Sequence, residues 1–322
     1  EAATLSVSST SIKPDGVTYT DIVGGVDAST GKETGLELVR QIYPKLGMTP
    51  GILLAPGWSE NAVVCAALQA KTEDINGCFK CCTYVDISSG SSGATVYTEV
   101  KGAKEAMGAS GAHTAAFWPK AAIGDKVYCM SAMAAALTAY NDANNADVPY
   151  ESPSNKDLRI TGTVLEDGTE VLLDQQQASD VLNANGVITA INANGFKLWG
   201  NNTAAYPSTT DPKDRWLAVR RFFDWDGNNF ILTYIQKVDK PGNKRLIQSI
   251  VDSQNIIGNG YVARDYCAGY RVEFRSDENP VTNLLNGHLT VHTFLAPYIP
   301  AEYIENKREY DVGALQAALG GN

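Results

Sequence analysis

The sequence predicts an α/β body with a parallel sheet, plus an α+β C-terminal domain and an extended C-terminal arm. Three observations predict it. Short apolar runs alternate three times with helical patterns between residues 34 and 145, as strands and helices do around a parallel sheet. Hairpin signals follow from residue 161, and beyond Pro300 polar and apolar residues alternate through Tyr310. The implied organisation is an opening segment 1–33, an α/β domain 34–160, an α+β domain 161–300 and an arm 301–322. A chain of 322 residues is long enough for two domains with a sizeable core.

The opening segment is rich in Ser, Thr, Gly and Asp, with β-prone pieces at Thr4–Val7 and Val17–Val23. It has no basic n-region, no apolar h-region and no initiator Met, which suggests a piece of something longer. Leu36, Val39, Ile42 and Tyr43 have helical spacing, and Gly47 is a stop signal. The wholly apolar run Gly51–Ala55 predicts a strand buried on both faces. Pro56-Gly57 turns the chain, and Ser59 is read as the N-cap of an Ala-rich helix running to about Ile75. Phe79–Ile87 and His113–Trp118 read as strands, separated by a helix over Thr95–Met107. Asp125 is read as the cap of a long Ala-rich helix from Val127.

Residues 146–160, with Pro149 and Pro153, read as a linker or surface crossing. A hairpin turning at Asp167-Gly168 follows, then a helix over Gln175–Ala184 ended by Asn185-Gly186. Val187–Trp199 reads as a second hairpin. Helical spacing then covers Asp214 to about Val238, and a further helix Asn243–Ile257. Strands are expected at Tyr270–Phe274 and His288–Phe294.

The net charge is −10, unevenly spread. Residues 1–212 carry 13 basic and 23 acidic side chains, residues 213–275 carry 11 and 7, and residues 276–322 carry 2 and 6. An acidic chain without a basic stripe argues against nucleic acid as a partner. Opposite-signed segments suit surfaces that meet one another, although scattered surface charge gives the same counts. No apolar run of membrane-spanning length occurs, so no membrane insertion is expected.

Cys65, Cys78, Cys81, Cys82, Cys129 and Cys267 do not suggest a disulfide scaffold in a chain this long. Cys78-x-x-Cys81-Cys82 supplies half of a zinc site, but no second pair follows at suitable spacing, so core cysteine is the preferred reading and no cofactor is expected. Gly57-Trp58-Ser59-Glu60-Asn61 sits between a strand and a helix like a nucleophile elbow, with Asn61 where that motif needs Gly. His113, His288 and His292 are the only candidate bases. His288-x-x-x-His292 has chelating spacing only if helical, and lacks an intervening HExxH-type glutamate. Asp224-x-Asp226-Gly227-Asn228 departs from a calcium loop by its early glycine and by Ile235 at the twelfth place. No phosphate-binding glycine motif occurs. An α/β hydrolase-like enzyme with a β-rich C-terminal module remains the alternative reading.

The second half carries a specific resemblance. DRWLAVRRFFDWDGNNFILTYIQKVDKPGNKRLIQSIVDSQN (214–255), GYRVEFRSDENP (269–280) and NGHLTVHTFLAPYIPAEYIENKREYD (286–311) resemble the C-terminal domain of contractile phage tail sheath proteins. The lead-in LNANGVITAINANGFKLWGNNT (182–203), the Arg220-Arg221 pair and the Pro300-Ala301-Glu302 turn also match. The similarity covers roughly 34–315 and is stronger over 182–311. It implies a non-enzymatic subunit, from a phage, prophage or phage-like particle, that stacks helically around an inner tube and shortens to drive the tube through a cell envelope. The implied partners are neighbouring sheath subunits, the inner tail tube protein, and the baseplate and tail terminator proteins. The implied location is the virion tail, assembled in the bacterial host cytoplasm. Family members usually begin with an N-terminal arm, and terminal arms add strands to the next subunit's sheet.

On that resemblance, Tyr303, Ile304, Glu305, Lys307, Arg308, Glu309 and Tyr310 are the candidate interface arm. In an extended chain Tyr303, Glu305, Lys307 and Glu309 point one way, and Ile304, Asn306, Arg308 and Tyr310 the other. An ordinary edge strand closing the chain's own sheet has the same pattern. Lys244 and Arg245 are candidate tube contacts by family analogy; solvated helix charges account for them too.

Overall fold

The structure, a computed structural model, describes residues 16–320. The expected piece Thr4–Val7 lies outside the described residues. Val17–Val23 is not a strand. Tyr19–Val23 is a short helix, because Thr18 and Asp21 form a capping box at its start. The helix expected over 34–46 begins as a 3₁₀ turn at Gly35–Gln41, continues as α-helix through Ile42–Leu46 and stops at Gly47, which is left-handed.

The body is a five-stranded sheet with helices on both faces. Its strands are β1 (Ile52–Leu54), β2 (Cys82–Asp86), β3 (Thr114–Phe117), β7 (Val187–Asn192) and β8 (Phe196–Trp199). The order is β8-β7-β3-β2-β1. All neighbours are parallel except the β7–β8 hairpin, so the sheet is mixed, not purely parallel. It also runs across residue 160, where the sequence placed a boundary. The β7–β8 hairpin has no partner of its own, and pairing Ala116 with Val187 and Phe117 with Ile188 satisfies its open edge.

Helix α1 (Ala62–Thr72) and helix α2 (Val100–Met107) cover one face, where Val64, Leu68, Val85, Val100 and Trp118 form one core. Helix α3 (Met130–Asn144) covers the other, with Cys82, Tyr84, Phe117, Met130, Ala134, Ile188 and Leu198. Every residue of β2 is buried, including Thr83, whose hydroxyl donates to the Leu53 carbonyl, and Asp86, which accepts from the Ser131 amide. Strand β1 departs from the expectation. It is the outer strand, and Leu54 is 36% exposed.

Two caps also differ. Asn61, not Ser59, caps α1, its side chain accepting from the Val63 amide at 2.9 Å. Asp125 does not start α3. Residues 120–128 form a hairpin, β4 (Lys120–Ile123) with β5 (Lys126–Tyr128), which β6 (Gly162–Val164) extends into a small antiparallel sheet. The β-favouring pair Val127-Tyr128 and the left-handed Gly124 select the hairpin over one more helical turn. The expected turn near Asp167-Gly168 is present, with Val171 donating to the Thr163 carbonyl. The helical turns ahead of β7 end at Gly186, where a β-carbon would lie 2.5 Å from the Thr203 carbonyl oxygen.

Helix α4 (Leu217–Tyr234) packs Leu217 into the α3 side of the body. It leads to helix α5 (Lys244–Ala263), strand β9 (Cys267–Glu273), a short helix α6 (Val281–Leu285) and strand β10 (His292–Pro297). Strands β9 and β10 form an antiparallel ribbon on which α5 lies, with a small core of Cys267, Tyr270 and Val272. The approach is close enough that a β-carbon on Gly258 would sit 1.9 Å from the Tyr270 ring. Strand β10 starts four residues later than expected, because Asn279 bonds the Thr290 amide and carbonyl, both at 2.8 Å, and holds that segment as a loop. After Pro297 no regular structure forms until helix α7 (Val312–Ala318), which the sequence reading did not anticipate.

Candidate functional site

Two regions stand out: the exit of the C-terminal arm, and a buried charge cluster where α4 meets the body.

The arm leaves beside Arg215. Its guanidinium lies 4.0 Å over the Trp216 ring and 4.4 Å over the Tyr206 ring, and its Nε donates to Asn202 at 3.0 Å. Held on three sides, Arg215 pairs with Glu302 at 3.1 Å and fixes the root of the arm. Beyond Glu302 the chain has no regular structure until α7, and every described residue is exposed, with Tyr303 at 83% and Ile304 at 85%. Glu305, Lys307, Arg308, Glu309 and Tyr310 belong to this stretch, and none of residues 303–310 pairs with another strand among the described residues. An edge strand completing the chain's own sheet is therefore not what this structure contains.

Lys244 and Arg245 are exposed in the first turn of α5, which Asn243 caps through the Leu246 amide. Positive charge there opposes the helix dipole, so these two residues do not serve the stability of α5. Much of the basic charge of 213–275 is instead consumed inside the subunit. Arg220 pairs with Asp214 at 2.8 Å and Asp224 at 3.2 Å, and the buried Arg221 forks onto Asp142 of α3 through both terminal nitrogens. Arg221 thereby clamps α4 onto the body, while Arg220 holds Asp224 of α4 and Asp214 just ahead of it. Their helical placement was legible, but their partners lie 79 residues away at Asp142 or on the helix's own turn.

Asp224 is the hub of the buried cluster. It accepts from His113 Nδ1 at 2.8 Å, faces the Cys82 thiol at 3.8 Å and is held by Arg220. Cys82, His113 and Asp224 lie close enough to converge on a cation. Burial pushes the Cys82 thiol well up, so it stays protonated, and two guanidiniums stand beside the site. That donor set suits a hydrogen-bonded core better than a metal. Cys78 is exposed and outside this group, whereas Cys81 and Cys82 are buried, so the half zinc motif does not assemble.

The hydrolase constellation does not assemble either. Ser59 is fully buried; its hydroxyl accepts from the Asp86 amide at 3.0 Å, and Asp86 also takes the Ser131 amide at 2.8 Å. His113 is committed to Asp224, and His292 pairs with Glu278 at 2.7 Å on β10, a strand. Asp226, in the failed calcium pattern, is a buried carboxylate within 3.0 Å of the Tyr270 hydroxyl of β9. Among the described residues no cation stands against it, and burial pushes it up to about 6. Among the described residues no helix is long and apolar enough to cross a membrane.

No family model matches the chain. Curated proteins similar to it include a tail sheath protein of Burkholderia phage BcepMu, 26% identical over 323 residues and covering 96% of this chain and 65% of that protein. A tail sheath protein of Escherichia phage P2 is 28% identical over 88% of this chain and 69% of that protein. A putative prophage major tail sheath protein of Pseudomonas aeruginosa is 25% identical over 87% of the chain and 70% of that protein. The chain thus spans about two thirds of the length of these relatives. Among solved structures, the sheath complex of the PVC extracellular contractile injection system in its contracted state superposes with a TM-score of 0.68 at 18% identity, covering 87% of this chain and 76% of that one. The contracted helical sheath of the anti-feeding prophage gives 0.63 at 18% identity, over 89% and 76%. Across most of its length this chain is thus similar in sequence to tail sheath proteins of phages and a prophage, and similar in fold to the sheaths of contractile injection systems.

Proposed function

We propose that the chain is a structural subunit of a contractile tail sheath, polymerising helically around an inner tube and contracting to drive it through a cell envelope. The observation that carries this reading is the arm. A body with helices on both faces of its sheet fixes one root, Arg215–Glu302, and from it a wholly exposed segment runs through residue 320, without regular structure up to Asp311 and helical over Val312–Ala318. Such a segment presents unpaired N–H and C=O groups that a neighbour's sheet edge can satisfy, and the two-stranded β9–β10 ribbon has edges to offer. The sequence similarity to tail sheath proteins supports the same conclusion.

In this reading the domain layout is an α/β body, an α+β C-terminal part and an arm from 301, and the chemistry is shape and charge complementarity without catalysis or cofactor. Neighbouring sheath subunits are the main partners. Baseplate, tail terminator and inner tail tube proteins are the others, with Lys244 and Arg245 turned to the tube, and neither nucleic acid nor a membrane is bound directly. Its place is the tail of the particle, with assembly in the bacterial host cytoplasm. Arms that keep copies connected while bodies turn let contraction proceed without dissociation, and new body–body contacts supply the driving free energy.

Negative-stain electron microscopy of the protein at high concentration tests the proposal. Sleeves or short helical polymers are expected; particles that stay monomeric at every concentration would count against it.

A further inference from the structure

We propose that the C-terminal helix α7 is a plug that docks in the groove along α3 of a second copy of this chain. This deepens the sheath reading and rests on it. Val312 and Leu315 of α7 and Leu319 at its C-cap lie three and four residues apart, so they form one apolar stripe, and they are 56%, 42% and 77% exposed. Among the described residues nothing in the chain's own body buries them. A two-turn helix bearing three large apolar side chains in water is marginal by itself and is stabilised by a surface that takes the stripe.

The body has a groove of matching kind. It measures about 680 Å³, with Met133, Leu137 and Tyr140 of α3 along one wall and Leu158 on the other. Met133 to Tyr140 spans seven positions, as does Val312 to Leu319, so the two stripes have the same length, roughly 10 Å at 1.5 Å per residue. Tyr140 is 63% exposed at the mouth. The rim carries Arg159, exposed and without an ion pair among the described residues, while α7 itself is uncharged and is preceded by Glu309 and Asp311. An acidic lead-in meeting a free guanidinium sets the direction of insertion.

The occupant is a second copy for three reasons. From the fixed root at Glu302, ten residues of extended chain reach up to roughly 33 Å, enough to leave the parent body. The segment does leave it, exposed throughout. Finally, the arm exits beside the α3 groove: the cleft that Tyr298–Tyr303 line shares Glu151 and Lys156 with it. An incoming plug would therefore seat next to the outgoing root, and consecutive subunits would chain together. Plug and groove are different surfaces, so the contact is head-to-tail and propagates into an open polymer instead of closing a two-fold dimer.

Cysteine pairing between copies tests this. In a background with the exposed cysteine replaced (Cys78→Ser), Tyr140→Cys and Leu315→Cys are made as separate variants, mixed at assembling concentration and mildly oxidised. A disulfide-linked heterodimer is expected from the mixture and from neither variant alone. Leu315→Cys mixed with Leu172→Cys, exposed but outside the groove, is expected to give none. The double variant Tyr140→Cys/Leu315→Cys should give a ladder of multimers. A double variant that closes only within one chain overturns the proposal in favour of the chain's own arm. Polymers visible by microscopy without a cross-link overturn the plug and leave the sheath reading standing; absence of both overturns both.

Discussion

Asp226 gives the fold a pH dependence with a definite sign. Its carboxylate is buried on α4, receives the Tyr270 hydroxyl from β9 and has no cation against it among the described residues, and burial raises it from the ordinary 3.8 to about 6. A folded value above the unfolded one means that the protonated form is the one the fold prefers. The stability it contributes is complete below about 3.8 and is lost as the pH rises through 6. The difference of about two units corresponds to about 3 kcal/mol, of which about 1 kcal/mol falls between pH 5 and 8. Asp226→Asn keeps the shape and an acceptor for Tyr270 while removing the titration. Urea unfolding at pH 5, 6, 7 and 8, followed by tryptophan fluorescence, reads the difference between the two proteins. The variant should gain on the parent by about 1 kcal/mol from pH 5 to pH 8. A constant difference across that range would refute the reasoning, since a lost hydrogen bond alone is independent of pH here.

Other substitutions separate the parts of the account. Arg221→Ala leaves Asp142 and the interior around Cys82 and Tyr84 without its cation, so a loss of about 3–5 kcal/mol in chemical denaturation is expected, and Arg221→Lys should not restore it fully because it cannot fork. Gly258→Ala forces α5 away from Tyr270, with a loss of about 1–3 kcal/mol or more in thermal unfolding. Lys244→Glu with Arg245→Glu should leave stability unchanged or raise it by about 0.3–1 kcal/mol, since acidic charge suits a helix start. The same double change should weaken sedimentation with purified tube protein, and unchanged co-sedimentation would remove these residues from the tube interface.

Legibility in the sequence followed the range of the interactions involved. The buried run CTYVD and the turn signal at Asn185-Gly186 are local, and the strand and the helix end appear where their residues place them. Misreadings arose where two local signals competed. At 120–128 a hairpin displaced a helix start, and at 59–61 two side chains could cap and Asn61 did. The parallel pairing of β3 with β7 joins segments about 70 residues apart, so no local pattern reveals that the sheet crosses residue 160. The arm was visible as alternation, but its root was not, because Arg215 and Glu302 are 87 positions apart. The pairing of His113 with Asp224 was hidden likewise, at a separation of 111. Helix α7 follows from Asp311 capping Ala314 ahead of a short Ala- and Leu-containing run, a signal present in the sequence and not weighed there.

The central claim, that copies of this chain are tied together through the arm, is tested most directly by sedimentation velocity of the protein beside a version ending at Ile299. The account predicts fast-sedimenting helical polymers from the protein and a folded monomer from the shortened version. Equal polymerisation of both, or monomers from both, would contradict it.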